Sequence, residues 1–195
     1  MLKREHRCEW RERAEAAEAD LDRLHREAAF EDPDTGLGNL AQLNRDFTKL
    51  VGRCRRYGEA FSLVLVGVDD YQHTGAELEQ ATFATLARSL IETARVEDFV
   101  CRAGDHEFAI LLPVTDLAGA RAFLDRARTN ISREPARTSG GSRFFQVIGG
   151  CAEWDENLGG LRRFLEAADL DLENEARAIS RHTDSFRALE DREAS

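Results

Sequence analysis

Two charged residues, Arg95 and Asp98, stand three positions apart, immediately before two apolar segments. A guanidinium and a carboxylate at this spacing near a helix end form an ordinary surface ion pair, worth about a few tenths of a kcal/mol. The same two groups can also bind guanine, because an arginine fork bridges N7 and O6 while a carboxylate accepts hydrogen bonds from N1–H and N2–H. Taken without context, the spacing favours the ion pair.

A second segment with chemical potential, Gly104-Asp105-His106-Glu107-Phe108, joins the two apolar segments. Its carboxylates are of the kind that bind Mg²⁺. His106 can serve as a metal ligand or as an acid–base group, although a partly exposed histidine at a hairpin tip is the more common case. The segment predicts a tight turn at Gly104-Asp105-His106 between two antiparallel strands.

The composition excludes several classes of protein. The 195-residue chain is 33% charged with a formal net charge of −10, which predicts one domain with extensions and argues against nonspecific nucleic-acid binding. We expect no membrane span, since the longest apolar run, Leu63 to Val68, has the length of a strand, and no signal peptide, since the N-terminus is strongly charged. Scattered cysteines at positions 8, 54, 101 and 151 predict free thiols in a reducing cytoplasm.

Apolar periodicity predicts the elements that must position these residues. Helices are predicted at Leu40 to Tyr57, Glu77 to Arg95, Thr115 or Asp116 to about Ile131, and Leu161 to about Arg181. Strands are predicted at Phe61 to Val68, Phe99 to Ala103, Glu107 to Leu112 and Phe144 to Ala152, with a loop from Glu134 to Ser142. The predicted fold class is α+β, a palm-like central sheet containing an antiparallel hairpin and flanked by helices.

Residues 1–30 are predicted to form a separate N-terminal helix, because they contain no Gly or Pro and carry apolar residues at heptad spacing. These residues are Trp10, Ala14, Ala17, Leu21, Leu24 and Ala28. The seam predicts a coiled coil and a homodimer; a helix packed on its own domain is the alternative, since the seam covers fewer than three heptads. The expected organisation is a helix at 1–30, a domain at 31–181 and an acidic tail at 182–195.

The order of motifs resembles that of GGDEF domains, the family that joins two GTP molecules into cyclic di-GMP. The resemblance runs from about Asp32 to Arg177 and implies the nucleotidyl-cyclase palm fold. Its motifs are Asp32 to Leu40 (Asp-x-Leu-Thr-Gly-Leu-x-Asn-Arg in the family), Val66 to Gln72 (Asp-x-Asp-x-Phe-Lys), Gly104 to Phe108 (Gly-Gly-Asp/Glu-Glu-Phe), Val147 to Gly149 (Ser-x-Gly) and Ala168 to Leu172 (Ala-Asp-x-Ala-Leu-Tyr).

The resemblance also implies that the catalytic positions are degenerate. The two carboxylates that hold Mg²⁺ in the family correspond to Gly67 and His106, and the second signature glycine corresponds to Asp105. Phosphoryl transfer needs Mg²⁺, which needs oxygen ligands; Asp69 and Glu107 alone are too few. We therefore expect a pseudoenzyme with no catalytic residues, no bound Mg²⁺ and no cofactor. A residual GTP-binding enzyme or regulator is a further alternative.

Other family positions differ as well. Asp34 stands where the opening motif has leucine, and Leu40 stands where it has arginine. Gln80 corresponds to an aspartate that contacts guanine in the family. The phosphate-contacting lysine of the last helix corresponds roughly to Ala176, next to Arg177. These departures add to the expectation that GTP is not turned over.

In the family, an Arg-x-x-Asp placed five residues before the signature binds cyclic di-GMP and inhibits the enzyme, and Arg95 and Asp98 have that spacing. Arg126 falls about where the family has the arginine of a secondary inhibitory site. The resemblance therefore implies a cyclic di-GMP receptor with Arg95, Asp98 and Arg126 as ligand-binding residues. It would signal to a protein partner and dimerise through ligand cross-linking or its N-terminal helix. The alternative is an interaction or dimerisation scaffold that binds no nucleotide.

Overall fold

The computed structural model describes residues 29–68, 76–104 and 107–193 of the chain. The predicted coiled coil of residues 1–30 lies outside the described residues except for its last two positions. Asp69, Asp105 and His106 also lie outside them. What the sequence indicates for these positions stays a prediction.

Four α-helices and six strands alternate along the described residues. The helices are α1 (Leu40–Tyr57), α2 (Ala76–Thr93), α3 (Leu117–Ile131) and α4 (Leu161–Glu193). The strands are β1 (Phe61–Val68), β2 (Phe99–Arg102), β3 (Glu107–Pro113), β4 (Ala136–Thr138), β5 (Gly141–Arg143) and β6 (Val147–Glu153). A short 3₁₀ helix at Glu156–Leu158 precedes α4. This order confirms the predicted alternation of helices and strands around a hairpin.

The central sheet has the strand order β2-β3-β1-β6, and every neighbouring pair is antiparallel. Strand β1 lies inside the sheet, paired with β3 on one side and β6 on the other. Its residues Phe61 to Gly67 are all buried, as expected for a continuous apolar run in a strand covered on both faces. The predicted α+β sheet flanked by helices is confirmed.

Two hydrophobic cores cover the two faces of the sheet. Val64 and Val66 of β1 contribute to the core under α2 and α3, whereas Leu63 and Leu65 contribute to the core under α1 and α4. The alternation follows from the two-residue period of a strand. Full burial of each such side chain stabilises the fold by about 1.5–3 kcal/mol before entropic costs.

Side-chain caps set the helix boundaries next to the site. Asn39 begins α1, and its side chain accepts hydrogen bonds from the backbone N–H groups of Ala41 and Gln42. Gly58 ends α1 with φ at 68°, the left-handed conformation that favours glycine. Asp116 begins α3 by accepting a hydrogen bond from the N–H of Gly119. The sequence predicted all three boundaries.

The structure differs from the prediction at several places, and α2 ends at Thr93, two residues before its predicted end at Arg95. The segment predicted as a loop contains the hairpin β4–β5, whose connecting residue Ser139 donates its backbone N–H and hydroxyl to the carboxylate of Glu77 in α2. Strands of three residues that contain Ser and Gly show no alternation of apolar and polar residues. The contact between Ser139 and Glu77 joins distant parts of the chain, so the sequence gives no sign of it. Strand β6 begins at Val147 and not at Phe144. Helix α4 continues to Glu193, beyond the predicted end near Arg181, because no Gly or Pro interrupts it.

Helix α4 lies against the outer edge of β6 and closes it. The Asp171 carboxylate accepts a 2.9 Å hydrogen bond from the N–H of Cys151, and the Glu175 carboxylate accepts one of 2.9 Å from the N–H of Gly149. Helix α4 approaches β6 so closely that only glycine fits at position 150, because a Cβ on Gly150 would overlap backbone atoms of Ala168 and Leu172. The β6 edge is therefore satisfied by carboxylates from within the chain.

Candidate functional site

The strand register brings together two positions that the sequence analysis singled out. Gly67 of β1 pairs directly with Glu107, the first residue of β3. Glu107 is exposed and belongs to the signature segment, whereas Gly67 offers no side chain beside it. Among the described residues, no group of three or more His, Cys, Asp or Glu side chains is arranged to hold a metal ion. Asp105 and His106 are not part of that comparison.

Arg102, at the base of the β2–β3 hairpin, fastens the hairpin to the segment that precedes α1. Its Nη1 donates to Asp32 at 3.3 Å and to Asp34 at 2.7 Å, and its backbone N–H donates to the carbonyl of Gly38 at 2.7 Å. The Asp32 side chain is only 15% exposed, whereas that of Asp34 is 70% exposed. The first pair therefore contributes more to stability than the second.

The ionisation of this cluster follows from its contacts. Burial alone would raise the pKa of Asp32, but hydrogen bonds from Thr35 and Arg102 outweigh it and lower that pKa below its ordinary value of 3.8. Burial opposes the charge on Arg102, yet its two carboxylate partners raise its pKa. The only sequence signal for this cluster was Asp34, an aspartate at a position where the resembled family has leucine.

The structure places Arg95 and Asp98 in the turn between α2 and β2. The backbone N–H of Arg95 donates to Asp98 Oδ2 at 2.7 Å, and the N–H of Asp98 donates to the Arg95 carbonyl at 3.1 Å. The turn thus holds the carboxylate in place through the backbone of Arg95, while the Arg95 side chain is exposed. Neither alternative considered from the sequence included this backbone contact.

The other carboxylate oxygen of Asp98 is in an unusual state. Oδ1 is buried and has no hydrogen-bond partner among the described residues. Burial raises the pKa of Asp98 above its ordinary value of 3.8, and the contacts with Arg95 and the charge of Arg126 offset this only in part. An unpaired buried acceptor costs about 1–3 kcal/mol, so a donor that reached Oδ1 would be bound favourably.

Arg126 differs from its two neighbours on α3. Arg121 pairs with Asp171 at 3.2 Å and Arg128 pairs with Glu175, so both support the carboxylates that close the β6 edge. Arg126 has no carboxylate partner among the described residues, and its exposed guanidinium acts electrostatically on Asp98. The charge of Arg126 thus acts on Asp98, whereas Arg121 and Arg128 are paired with carboxylates of α4.

Two cavities flank these residues. One, of about 630 Å³, is bordered by Asp98 and the start of β2 on one side and by α1 on the other. The second, of about 650 Å³, lies next to Glu107 between the first turns of α1 and α4. Both volumes fall within the range of about 300–1,000 Å³ that is typical of small-molecule pockets. Sequence reasoning identified neither cavity.

Two further findings concern the chain outside the site. Three of the four cysteines, Cys54, Cys101 and Cys151, lie in the described residues and are free thiols, as predicted. Within the part of the chain that the structure describes, no helix combines the length and the apolar character needed to cross a membrane.

Comparison with known proteins identifies the same family as the sequence motifs do. The family described as "Diguanylate cyclase, GGDEF domain" matches residues 29–182. The diguanylate cyclase DgcP of Pseudomonas aeruginosa is 29% identical over 177 residues, which is 86% of this chain and 26% of DgcP. The chain thus spans about a quarter of the length of this curated relative.

Solved structures share the fold. SiaD, a diguanylate cyclase from Pseudomonas aeruginosa solved in complex with its activator SiaC, superposes with a TM-score of 0.73 at 26% identity, covering 86% of this chain and 65% of SiaD. The GGDEF domain of DgcB from Caulobacter crescentus, solved in complex with c-di-GMP, gives 0.70 at 20% identity, covering 77% and 89%. At the latter identity the likeness shows the fold alone.

Proposed function

The chain belongs to the GGDEF domain family of diguanylate cyclases, and on that premise we propose that it binds cyclic di-GMP without synthesising it. The observation that carries this proposal is the state of Asp98, whose Oδ1 is buried and unpartnered beside the exposed guanidinium groups of Arg95 and Arg126. Because Oδ1 is buried, a ligand reaches it after neighbouring side chains move, and the ligand then supplies the hydrogen bond that Oδ1 lacks in the free protein.

Guanine matches the three residues chemically. Its N1–H and N2–H groups can donate to the Asp98 carboxylate, and its O6 and N7 can accept from an arginine fork. The two arginines also offset the phosphate charges of a cyclic dinucleotide, which the net charge of −10 would otherwise repel. Hydrogen bonds to charged groups contribute about 1.5–3 kcal/mol each, enough for micromolar affinity from a few contacts.

Synthesis is disfavoured by the positions around Glu107. Gly67 supplies no carboxylate opposite Glu107, and histidine and aspartate stand at signature positions 106 and 105. An imidazole is a poor ligand for Mg²⁺, and an aspartate at position 105 repels the triphosphate that the family accommodates beside a glycine. These substitutions leave Arg95, Asp98 and Arg126 unaffected.

The proposal also includes dimerisation and a protein partner. Ligand binding at the Arg95–Asp98 turn is linked to assembly of two copies, through the N-terminal helix or through ligand that joins two sites. A protein partner in the cytoplasm receives the signal. SiaD, solved in complex with its activator SiaC, is a relative that binds a protein, although there the protein acts on the cyclase. Free thiols at Cys54, Cys101 and Cys151 agree with a reducing compartment.

Calorimetric titration of the full chain with cyclic di-GMP tests the proposal. We expect micromolar binding, at least about tenfold weaker in Arg95→Ala and in Asp98→Ala, and unchanged in Arg55→Ala, whose side chain pairs with Glu156 away from the site. Absence of heat at high micromolar ligand, or wild-type affinity in Arg95→Ala, would overturn it. Incubation with GTP and Mg²⁺ or Mn²⁺ is expected to yield no cyclic di-GMP; turnover would refute the inactive half of the proposal.

The second cavity favours one other function, a protein-binding scaffold. Leu40 borders this cavity and is 50% exposed, where the family has an arginine. Leu161 and Leu165 border it as well, so the groove offers an apolar surface. A partner whose binding ignores cyclic di-GMP and the Asp98→Ala substitution, yet is lost in Leu40→Arg, would support the scaffold over the receptor.

A further inference from the structure

The cavity of about 630 Å³ places residues of α1 next to the Asp98 site. Asp98, Phe99 and Val100 form one border of this cavity, and Gln42 and Arg45 of α1 belong to its opposite border. Arg126, by contrast, lies on α3, which packs on the other face of the sheet from α1, and its charge acts on Asp98. The Asp98 site is therefore flanked by arginines from helices on opposite faces of the sheet.

Arg45 is arranged so that one face of its guanidinium is covered. The guanidinium lies 4.4 Å from the centre of the Phe30 ring, and the side chain remains 46% exposed. Its nearest carboxylate, Asp46, is 3.9 Å away, at the limit of an ion pair. Asp46 is satisfied more closely by Lys49 at 2.7 Å and by Gln42, so Arg45 is not required to neutralise it.

A planar guanidinium that rests on an aromatic ring keeps its second face for another flat group. Purine bases stack on such faces, and a cation over a π-system contributes about 0.5–2 kcal/mol depending on its exposure. The cavity has room for a base, since its volume is within the usual range for small-molecule sites.

We infer that Arg45 forms a purine-stacking subsite, in which one guanine of a cyclic dinucleotide lies on the Arg45 guanidinium and directs its N1–H and N2–H edge to Asp98. This inference rests on the proposed function, because it assigns a contact within the same site. It adds α1 to the residues that bind the ligand, beyond the Arg95–Asp98 turn and Arg126.

The subsite has a structural consequence at Phe30. The Phe30 ring supports the Arg45 guanidinium. The backbone carbonyl of Phe30 accepts a 2.9 Å hydrogen bond from the N–H of Asn39, the residue that caps α1. A base stacked on Arg45 is therefore linked, through the Phe30 ring and this hydrogen bond, to the start of α1.

Titration of the full chain with cyclic di-GMP separates this inference from the proposed function. We expect at least about tenfold weaker binding in Arg45→Ala. Arg45→Lys is expected to recover only part of this loss, because it restores the charge without the planar face. Arg55→Ala, on the same helix and paired with Glu156, is the matched control and should bind as the wild type does.

Each outcome has one meaning. If wild-type protein does not bind the ligand, the proposed function and this inference both fail. If the wild type binds and depends on Arg95 but Arg45→Ala is unchanged, or if Arg45→Lys binds fully, the stacking subsite alone is refuted. Should Arg45→Ala fail to fold by circular dichroism, Phe30→Leu provides the test: it keeps an apolar side chain but removes the ring, and wild-type affinity in Phe30→Leu would overturn the inference.

Discussion

The backbone N–H of Arg95 donates a 2.7 Å hydrogen bond to Asp98 Oδ2 and leaves Oδ1 of the same carboxylate buried without a partner among the described residues. One oxygen thus fixes the turn, and under the proposed function the other is the acceptor for the ligand. This division explains why the two residues stand three positions apart, since the distance suits a turn closed by its own side chain. The following predictions test this site and the fold around it.

The Asp98→Asn protein should become more stable relative to the wild type as the pH rises. The pKa of Asp98 is raised in the folded protein, chiefly by burial, so the folded state binds its proton more tightly than the unfolded state does. The contribution of Asp98 to wild-type stability therefore declines as the pH rises from about 3.8 through the raised pKa. Urea unfolding of both proteins at about pH 4 and about pH 7 measures the difference.

The Asp98→Asn protein should gain most, relative to wild type, at the higher pH, while cyclic di-GMP binding is lost. A variant less stable than wild type at about pH 7 by more than about 1 kcal/mol would show that the Arg95 hydrogen bond to a charged acceptor outweighs burial.

Substitution of Asp32 with Asn should destabilise the domain by about 1 kcal/mol near neutral pH, after allowance for partial exposure. Despite burial, hydrogen bonds from Thr35 and Arg102 lower the pKa of Asp32 in the folded state. Its contribution is therefore present above the ordinary value of 3.8 and is lost as the pH falls through the lowered pKa. Urea unfolding curves at several pH values follow this loss.

Asp34→Asn is the matched control for Asp32, because Asp34 contacts the same guanidinium from a side chain that is 70% exposed. We expect a change within about 0.5 kcal/mol for it. Equal effects of the two substitutions would contradict the ranking by burial.

Gly150→Ala should destabilise the fold by about 3 kcal/mol, because the added Cβ would overlap backbone atoms of α4 and neither element can move without losing its core contacts. The control is Gly52→Ala in α1, where a Cβ meets no atom within 4 Å. That variant should gain about 0.5–1 kcal/mol from helix propensity. Chemical denaturation of both compares them directly, and a tolerated Gly150→Ala would show that α4 is not held against β6.

Cys101 should resist alkylation in the folded protein. Burial, together with the charge of Asp46, raises the pKa of its thiol to about 12 from an ordinary 9.0, which lowers the reactive thiolate fraction about 1,000-fold. Cys151, with a pKa of about 11, is protected to a lesser degree. Iodoacetamide labelling followed by peptide mass mapping should modify Cys54 before either buried thiol. Rapid labelling of Cys101 under native conditions would mean that β2 opens readily.

Local patterns in the sequence predicted most of the fold. The continuous apolar run of β1, the cap at Asp116 and the terminating Gly58 are local signals that lie where they were expected, and α1 begins at Leu40 as predicted. The hairpin β4–β5 was missed because its support is the carboxylate of Glu77, which is 62 residues from Ser139 along the chain.

The candidate site was predicted only in part for the same reason. Arg95 and Asp98 are neighbours in sequence, and Arg126 was identified through the family resemblance. The unpaired state of Asp98 Oδ1 depends on burial, and the position of Arg45 depends on how α1 packs beside β2. Neither property is encoded by spacing, so both required the three-dimensional arrangement.

The carboxylates that cap β6 limit how this domain can associate. At one edge of the sheet, β2 forms a bridge with the Gly38 segment, and the Gly38 carbonyl accepts a hydrogen bond from the backbone N–H of Arg102. At the other edge, the carboxylates of Asp171 and Glu175 accept hydrogen bonds from backbone N–H groups of β6. A foreign strand would have to displace these internal contacts before it could extend the sheet. Extension of the central sheet by a second copy of the domain is therefore disfavoured, and we expect oligomers to use other surfaces.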